Sequence, residues 1–130
     1  MKANLLNTNA LAFIGDAVYE VYIRDSILGE GNPNVDILQK RKVNYVKAGR
    51  QAKALKEMMN GFLSEEEMAI AKRARNHKTT SKPKNADPID YKNATAFEAL
   101  IGYLHLEGKE ERVKEIVEKA IVILSEAKDL

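Results

Sequence analysis

Cysteine is absent from the 130 residues, so disulfides and thiolate metal sites are excluded. No apolar run approaches the roughly 18 residues that a membrane span needs. The first ten residues are polar and carry one lysine, which is not the pattern of a secretion signal. There is no internal repeat, no low-complexity tract and no sustained alternation of apolar and polar residues that would mark a strand. The expectation is a soluble, cytoplasmic protein with no membrane partner. Net charge is also slight, at +2. Hydrophobic residues make up 45%, enough for one packed core, and the length fits a single domain over residues 1–130.

What the chain does have is helical spacing almost throughout. Asn7 or Asn9 can cap a first helix that runs to about Leu28, and Gly29 to Pro33 ends it. Asp36 can cap a second helix reaching about Met59, with apolar positions at Leu38, Tyr45, Ala48, Ala52, Leu55 and Met59. Ser64 and Glu67 form a capping-box pattern for a third helix, to about Arg75. Residues 76–88 read as a loop, a fourth helix spans about 89–106, and a fifth, about 109–127, carries the stripe Val113, Ile116, Val117, Ala120, Ile121 and Leu124. The fold class expected is all-α, a helix bundle with short connections.

Charge is unevenly placed. Seven Lys or Arg and no acid lie between Ile37 and Lys56, and six more, again without an acid, between Met68 and Ala86. The C-terminal stretch from Glu107 to Asp129 holds seven acids against five bases. Two solvated helix faces would look like this, and so would a surface for a polyanion.

Two acids stand out by their surroundings. Asp16 lies in Ala10–Ile23, a stretch apolar on most of its helical circumference. Glu98 is the one acid among the thirteen residues Ala94–Leu106. Aspartate inside a helix has poor propensity, and a buried carboxylate costs several kcal/mol unless paired or metal-bound. Thr95, Gly102 and His105 share the face of Glu98, and Gly102 would let another backbone or a ligand come close. Each acid alone would most simply pair with an arginine or lysine. Facing each other they would repel unless a cation lay between them, and carboxylates on rigid helices suit a hard octahedral ion. His77 and His105 read as an exposed loop residue and a packed helix residue.

Two runs carry a resemblance. Leu11-Ala-Phe-Ile-Gly-Asp16-Ala-Val resembles the signature helix of the ribonuclease III family, and Thr95-Ala-Phe-Glu98-Ala-Leu-Ile-Gly102 resembles its second signature. Ala74-Arg-Asn-His-Lys78 and Pro83-Lys-Asn85 are similar to the loop of the Mini-III subgroup, which lacks the family's separate double-stranded-RNA-binding domain. No such domain is expected here either. The resemblance implies an all-helical endonuclease domain, a homodimer, and magnesium-dependent hydrolysis of double-stranded RNA that leaves a 5′ phosphate and a 3′ hydroxyl; manganese is the expected substitute. It maps the essential carboxylates to Asp16 and Glu98. Ala12 and Thr95 stand where the larger family has further acids, as in Mini-III relatives, so waters or Thr95 would complete the metal shell. The subgroup implies maturation of large-subunit (23S) ribosomal RNA precursors, with a ribosomal protein as a helper.

On that reading Lys40, Arg41, Lys47, Arg50, Arg73, Arg75, Lys78, Lys82 and Lys84 would hold the RNA backbone, with Asn76, His77, Thr79, Thr80 and Asn85 adding neutral contacts. Tyr19, Tyr22, Ile23 and Ile27 are candidates for the dimer contact, though they equally suit the core. The rival functions are a non-catalytic double-stranded-RNA-binding module associated with ribosomes and a helix-turn-helix DNA binder, the latter poorly supported by the connections.

Overall fold

The computed structural model describes residues 2–31, 34–77 and 87–126. Among these are six α-helices and one 3-10 turn (Ala3–Leu5), with no strand, so the all-helical expectation holds. The helices are α1 (Thr8–Leu28), α2 (Val35–Val46), α3 (Ala48–Met58), α4 (Glu65–Arg75), α5 (Pro88–Leu106) and α6 (Glu110–Glu126). None is long and apolar enough to cross a membrane.

Local chemistry sets most of the boundaries. The Asn7 side chain accepts from the Ala10 amide at 2.8 Å and starts α1. Ser64 and Glu67 close the expected capping box reciprocally, at 3.1 and 2.9 Å. Asp87 caps α5 ahead of Pro88, whose fixed φ and missing N–H suit a first helical position.

The expected single helix from Asp36 to Met59 is two helices, and its cap is Asn34. Lys47 adopts an extended conformation (φ −70°, ψ 153°) between them. The break frees carbonyls at the end of α2, and side chains from α3 take them. Arg50 Nε donates to Asn44 O at 2.8 Å, and Gln51 Nε2 donates to Val46 O at 3.0 Å. A buried carbonyl without a partner costs roughly 1–3 kcal/mol, so these two side chains make the break tolerable.

α5 is the hub. It is apolar nearly all round and packs against α1, α3, α4 and α6. Phe97, Leu100, Ile101 and Leu104 are buried on it. Tyr19 of α1 meets Phe97 edge-on, with centroids 5.0 Å apart, and its hydroxyl donates to Tyr45 O at 2.8 Å. α4 is fastened to α6 by Arg112, which grips the buried Glu67 carboxylate through Nε and Nη2, both at 2.8 Å. Burial alone would raise the Glu67 pKa. The bonds from Arg112 and Ser64 outweigh it and leave the pKa below its ordinary value.

Candidate active site

Asp16 and Glu98 are brought together by two glycines. Where α1 crosses α5, a Cβ built on Gly15 would sit 1.7 Å from Glu98 O, and one on Gly102 would sit 2.0 Å from Leu11 O. Only glycine permits backbone to meet backbone this closely. Asp16 follows Gly15 directly, so the crossing places its carboxyl beside that of Glu98, within hydrogen-bonding range. Asp16 is exposed and Glu98 is half-buried, so the pair opens to solvent on one side.

The electrostatics of the pair are unusual. Burial, then the charge of Asp16, then hydrogen bonding with Asp16 push the Glu98 pKa up to about 8; a hydrogen bond from the Gln51 amide opposes them. With a second carboxyl this close, Glu98 resists ionisation. No Lys or Arg forms an ion pair with either acid among the described residues. Among the described residues Glu98 therefore has no neutralising partner of the kind that explains most buried acids.

Among the described residues no group of three or more His, Asp or Glu converges on a metal position. Two adjoining carboxyls are nevertheless a fitting donor set for magnesium, which is held by one or two carboxylates and keeps several waters. Thr95 is half-buried one turn before Glu98 on α5.

The basic residues scatter more than expected. Lys40, Lys47 and Arg73 are exposed and Arg75 is half-buried. Arg41 is exposed but pairs with Glu30 at 2.5 Å. Arg73 and Asn76 line one cleft of about 590 Å³ with His77, Leu6, Asn7 and Thr8. Lys78, Lys82, Lys84, Asn85, Thr79 and Thr80 lie outside the described residues. Arg50 needs correction: it is 7% exposed and donates to Asn44 O and to Leu124 O, the latter at 2.7 Å. It joins the carbonyl ends of α2 and α6, where a cation is favoured, and is not presented to RNA.

The dimer candidates need correction as well. Tyr19, Ile23 and Ile27 are core residues, and Tyr22 is half-buried with its hydroxyl on Glu110. The apolar surface that α1 leaves open is Phe13, 82% exposed, with Ala17 and Val21 one and two turns on. Gln51 was not anticipated at the site. It shares a helical face with Leu55 and Met58, at spacings of four and seven, and that register was a readable sign of a buried amide.

Comparison with known proteins identifies the family. The ribonuclease III domain family matches residues 9–109. The Mini-ribonuclease 3 of Brevibacillus brevis is 50% identical over 121 residues, covering 93% of this chain and 90% of that protein. The Mini-ribonuclease 3 of Enterococcus faecalis is 42% identical over 125 residues, covering 95% of each. The crystal structure of a Fusobacterium nucleatum protein superposes with a TM-score of 0.78 at 40% identity, covering 93% of this chain and 94% of that one. The chain belongs to the ribonuclease III family of endoribonucleases, in its Mini-ribonuclease 3 group.

Proposed function

We propose that residues 1–130 act as one magnesium-dependent endonuclease unit that cuts double-stranded RNA at Asp16 and Glu98. The observation that carries this reading is the meeting of two carboxyls from α1 and α5 with no ion pair to a Lys or Arg among the described residues. A magnesium ion held there, or manganese in its place, would supply the positive charge that activates water and stabilises the leaving oxygen, giving a 5′ phosphate and a 3′ hydroxyl. Asp16 and Glu98 would hold that ion, with Thr95 close by. Lys40, Lys47, Arg73, Arg75 and Asn76, with Lys78, Lys82, Lys84 and Asn85 of the loop, would bind backbone phosphates. A-form RNA hides its base edges from side chains, so recognition would rest on helix shape and 2′-hydroxyls. The cellular substrate in this reading is a 23S ribosomal RNA precursor, met in the cytoplasm with a ribosomal protein as helper.

The test is cleavage of labelled duplexes. The unmodified protein should cut double-stranded RNA with magnesium or manganese, stop in chelator, and leave duplex DNA intact. Asp16→Asn and Glu98→Gln should still bind RNA but cut at least about a hundredfold more slowly, the scale of loss when one transition-state contact is removed. Binding without cutting, across a range of metals, would instead identify a non-catalytic RNA-binding module.

The functional unit is a homodimer in this reading. The supporting observation is the row Phe13, Ala17 and Val21, an exposed apolar stripe on α1. In light scattering the unmodified protein should have twice the chain mass and Phe13→Glu the mass of one chain. A single-chain mass for the unmodified protein would count against the stripe as an interface.

A further inference from the structure

We propose that Asn60 is a site of spontaneous covalent modification: its side chain closes onto the Gly61 nitrogen and loses ammonia, leaving an isoaspartyl or aspartyl residue in the turn between α3 and α4. Closure to a succinimide needs a side chain free to rotate, a following N–H that no acceptor holds, and a following residue with no side chain in the way. Asn60 is exposed, and its side chain makes no hydrogen bond among the described residues. The amides around it are engaged. Asn60 N donates to Glu57 O at 3.1 Å, and Phe62 N and Leu63 N donate to Met58 O at 3.1 and 3.0 Å. The Gly61 N–H is the exception, with no acceptor among the described residues. Gly61 is also exposed, and nothing lies within 4 Å of where a Cβ would stand. Its φ of +102° is one that a residue with a side chain rarely adopts, so the turn itself demands the glycine that leaves the amide open to attack.

The other asparagines are placed differently. Asn60 is the only one of ten that precedes a glycine. Asn7 and Asn34 are tied as helix caps. Asn44 and Asn93 lie inside helices, where the following N–H belongs to the ladder. The N–H after Asn76 donates to Ala74 O at 3.2 Å. The chemistry at Asn60 balances with water as the one co-reactant. The Gly61 nitrogen bonds to Asn60 Cγ, the Cγ–Nδ2 bond breaks, and the Gly61 proton departs with that nitrogen as ammonia. Water then opens the ring. Opening at Cγ gives aspartate, and opening at the main-chain carbonyl gives isoaspartate, whose backbone is one methylene longer. Either product puts a negative charge just past the C-terminal end of α3, where the helix dipole disfavours it. The added methylene has little room. Met58 O holds the turn from one side, and from the other Arg112 Nη2 donates to Phe62 O at 3.0 Å with its guanidinium 4.6 Å from the centre of the Phe62 ring. The isoaspartyl form is therefore less stable than the unmodified chain.

The experiment holds the folded full chain in mildly alkaline buffer and follows it by ion exchange, peptide mass and labelling with isoaspartyl methyltransferase. The expected result is a more acidic species whose changed mass and methyl label both map to residue 60, forming faster as pH rises because the deprotonated amide is the nucleophile. Asn60→Gln, whose longer side chain must close a larger ring, should lose the acidic species altogether and melt as the unmodified protein does. The purified isoaspartyl form should melt several degrees lower. A folded chain that stays a single species while the urea-unfolded chain converts at Asn60 would overturn the proposal, because the turn would then shield the amide. Conversion that begins at another asparagine would overturn it too. Equal melting of the isoaspartyl and unmodified forms would overturn the consequence drawn for the turn.

Discussion

Gly102→Ala and Gly15→Ala are each expected to lower the melting temperature by more than about 10 °C, which corresponds to a loss above about 3 kcal/mol in a domain of this size. The sign is the point. Glycine inside a helix ordinarily costs up to about 1 kcal/mol relative to alanine, so either change on an open helix face would stabilise. Here the added methyl meets backbone. At Gly102 it would lie 2.0 Å from Leu11 O and 2.9 Å from the same carbonyl's carbon; at Gly15, 1.7 Å from Glu98 O and 2.8 Å from Gly102 N. A side chain could rotate away, but a carbonyl held in a helix cannot. The two helices must separate, and α5 carries much of the core, so its contacts with α3 and α4 loosen too. Stability of a domain is about 5–15 kcal/mol in all, and a few kcal/mol bring it near collapse. A variant that still folds would hold Asp16 and Glu98 farther apart and should cut poorly even where it binds RNA. Melting within about 3 °C of the unmodified protein would show that the helices do not cross this closely.

That crossing was partly readable beforehand. Gly102 one turn beyond Glu98 signalled close approach, and an acid inside each of two apolar helices contradicted local propensity, the kind of conflict that marks a working site. Four of the five expected helices lie close to where capping and periodicity placed them, because caps such as Asn7 and Ser64 act through neighbours within four residues; the Asp87 cap of α5 was not anticipated. The break at Lys47 was not readable. No proline or glycine occupies it, and what sustains it is tertiary: Arg50 and Gln51 reaching back to carbonyls of α2. Arg50 was misplaced for the same reason, since a run of cations does not say which guanidinium will find carbonyls inside. The apolar circumference of α1 was visible, but not its division. Tyr19 and Ile23 went in, Tyr19 with an acceptor for its hydroxyl at Tyr45, while Phe13 and Val21 stayed out. A helical wheel gives the angle between two apolar faces and not which of them meets the core.

Glu98→Gln should make the metal-free protein more stable at alkaline pH even as it removes cleavage. The ordinary pKa of the group is 4.5, and in the folded chain it is pushed up to about 8 by burial and by Asp16. Below 4.5 the group is protonated in both states and carries no penalty. As pH rises from there the unfolded chain ionises while the folded chain keeps its proton, and stability falls. The loss is complete once pH passes through about 8 and the folded group ionises as well. Because Glu98 is only half-buried and the pair opens to solvent, the full shift overstates the effect, and on the order of 2 kcal/mol is expected. Glutamine has no such slope. In chelator at pH 9 the variant should therefore melt several degrees above the unmodified protein, and the gap should close as pH approaches 4. Adding a divalent ion should reverse the order, since the unmodified protein gains binding energy that Glu98→Gln cannot recover. Equal melting at pH 9 in chelator would mean that Glu98 is neither desolvated nor crowded by Asp16. A gap that persists after metal is added would mean that the strained pair is not what binds the ion. The two outcomes separate the electrostatics of the site from its use, which is why stability and cleavage have to be read on the same variant.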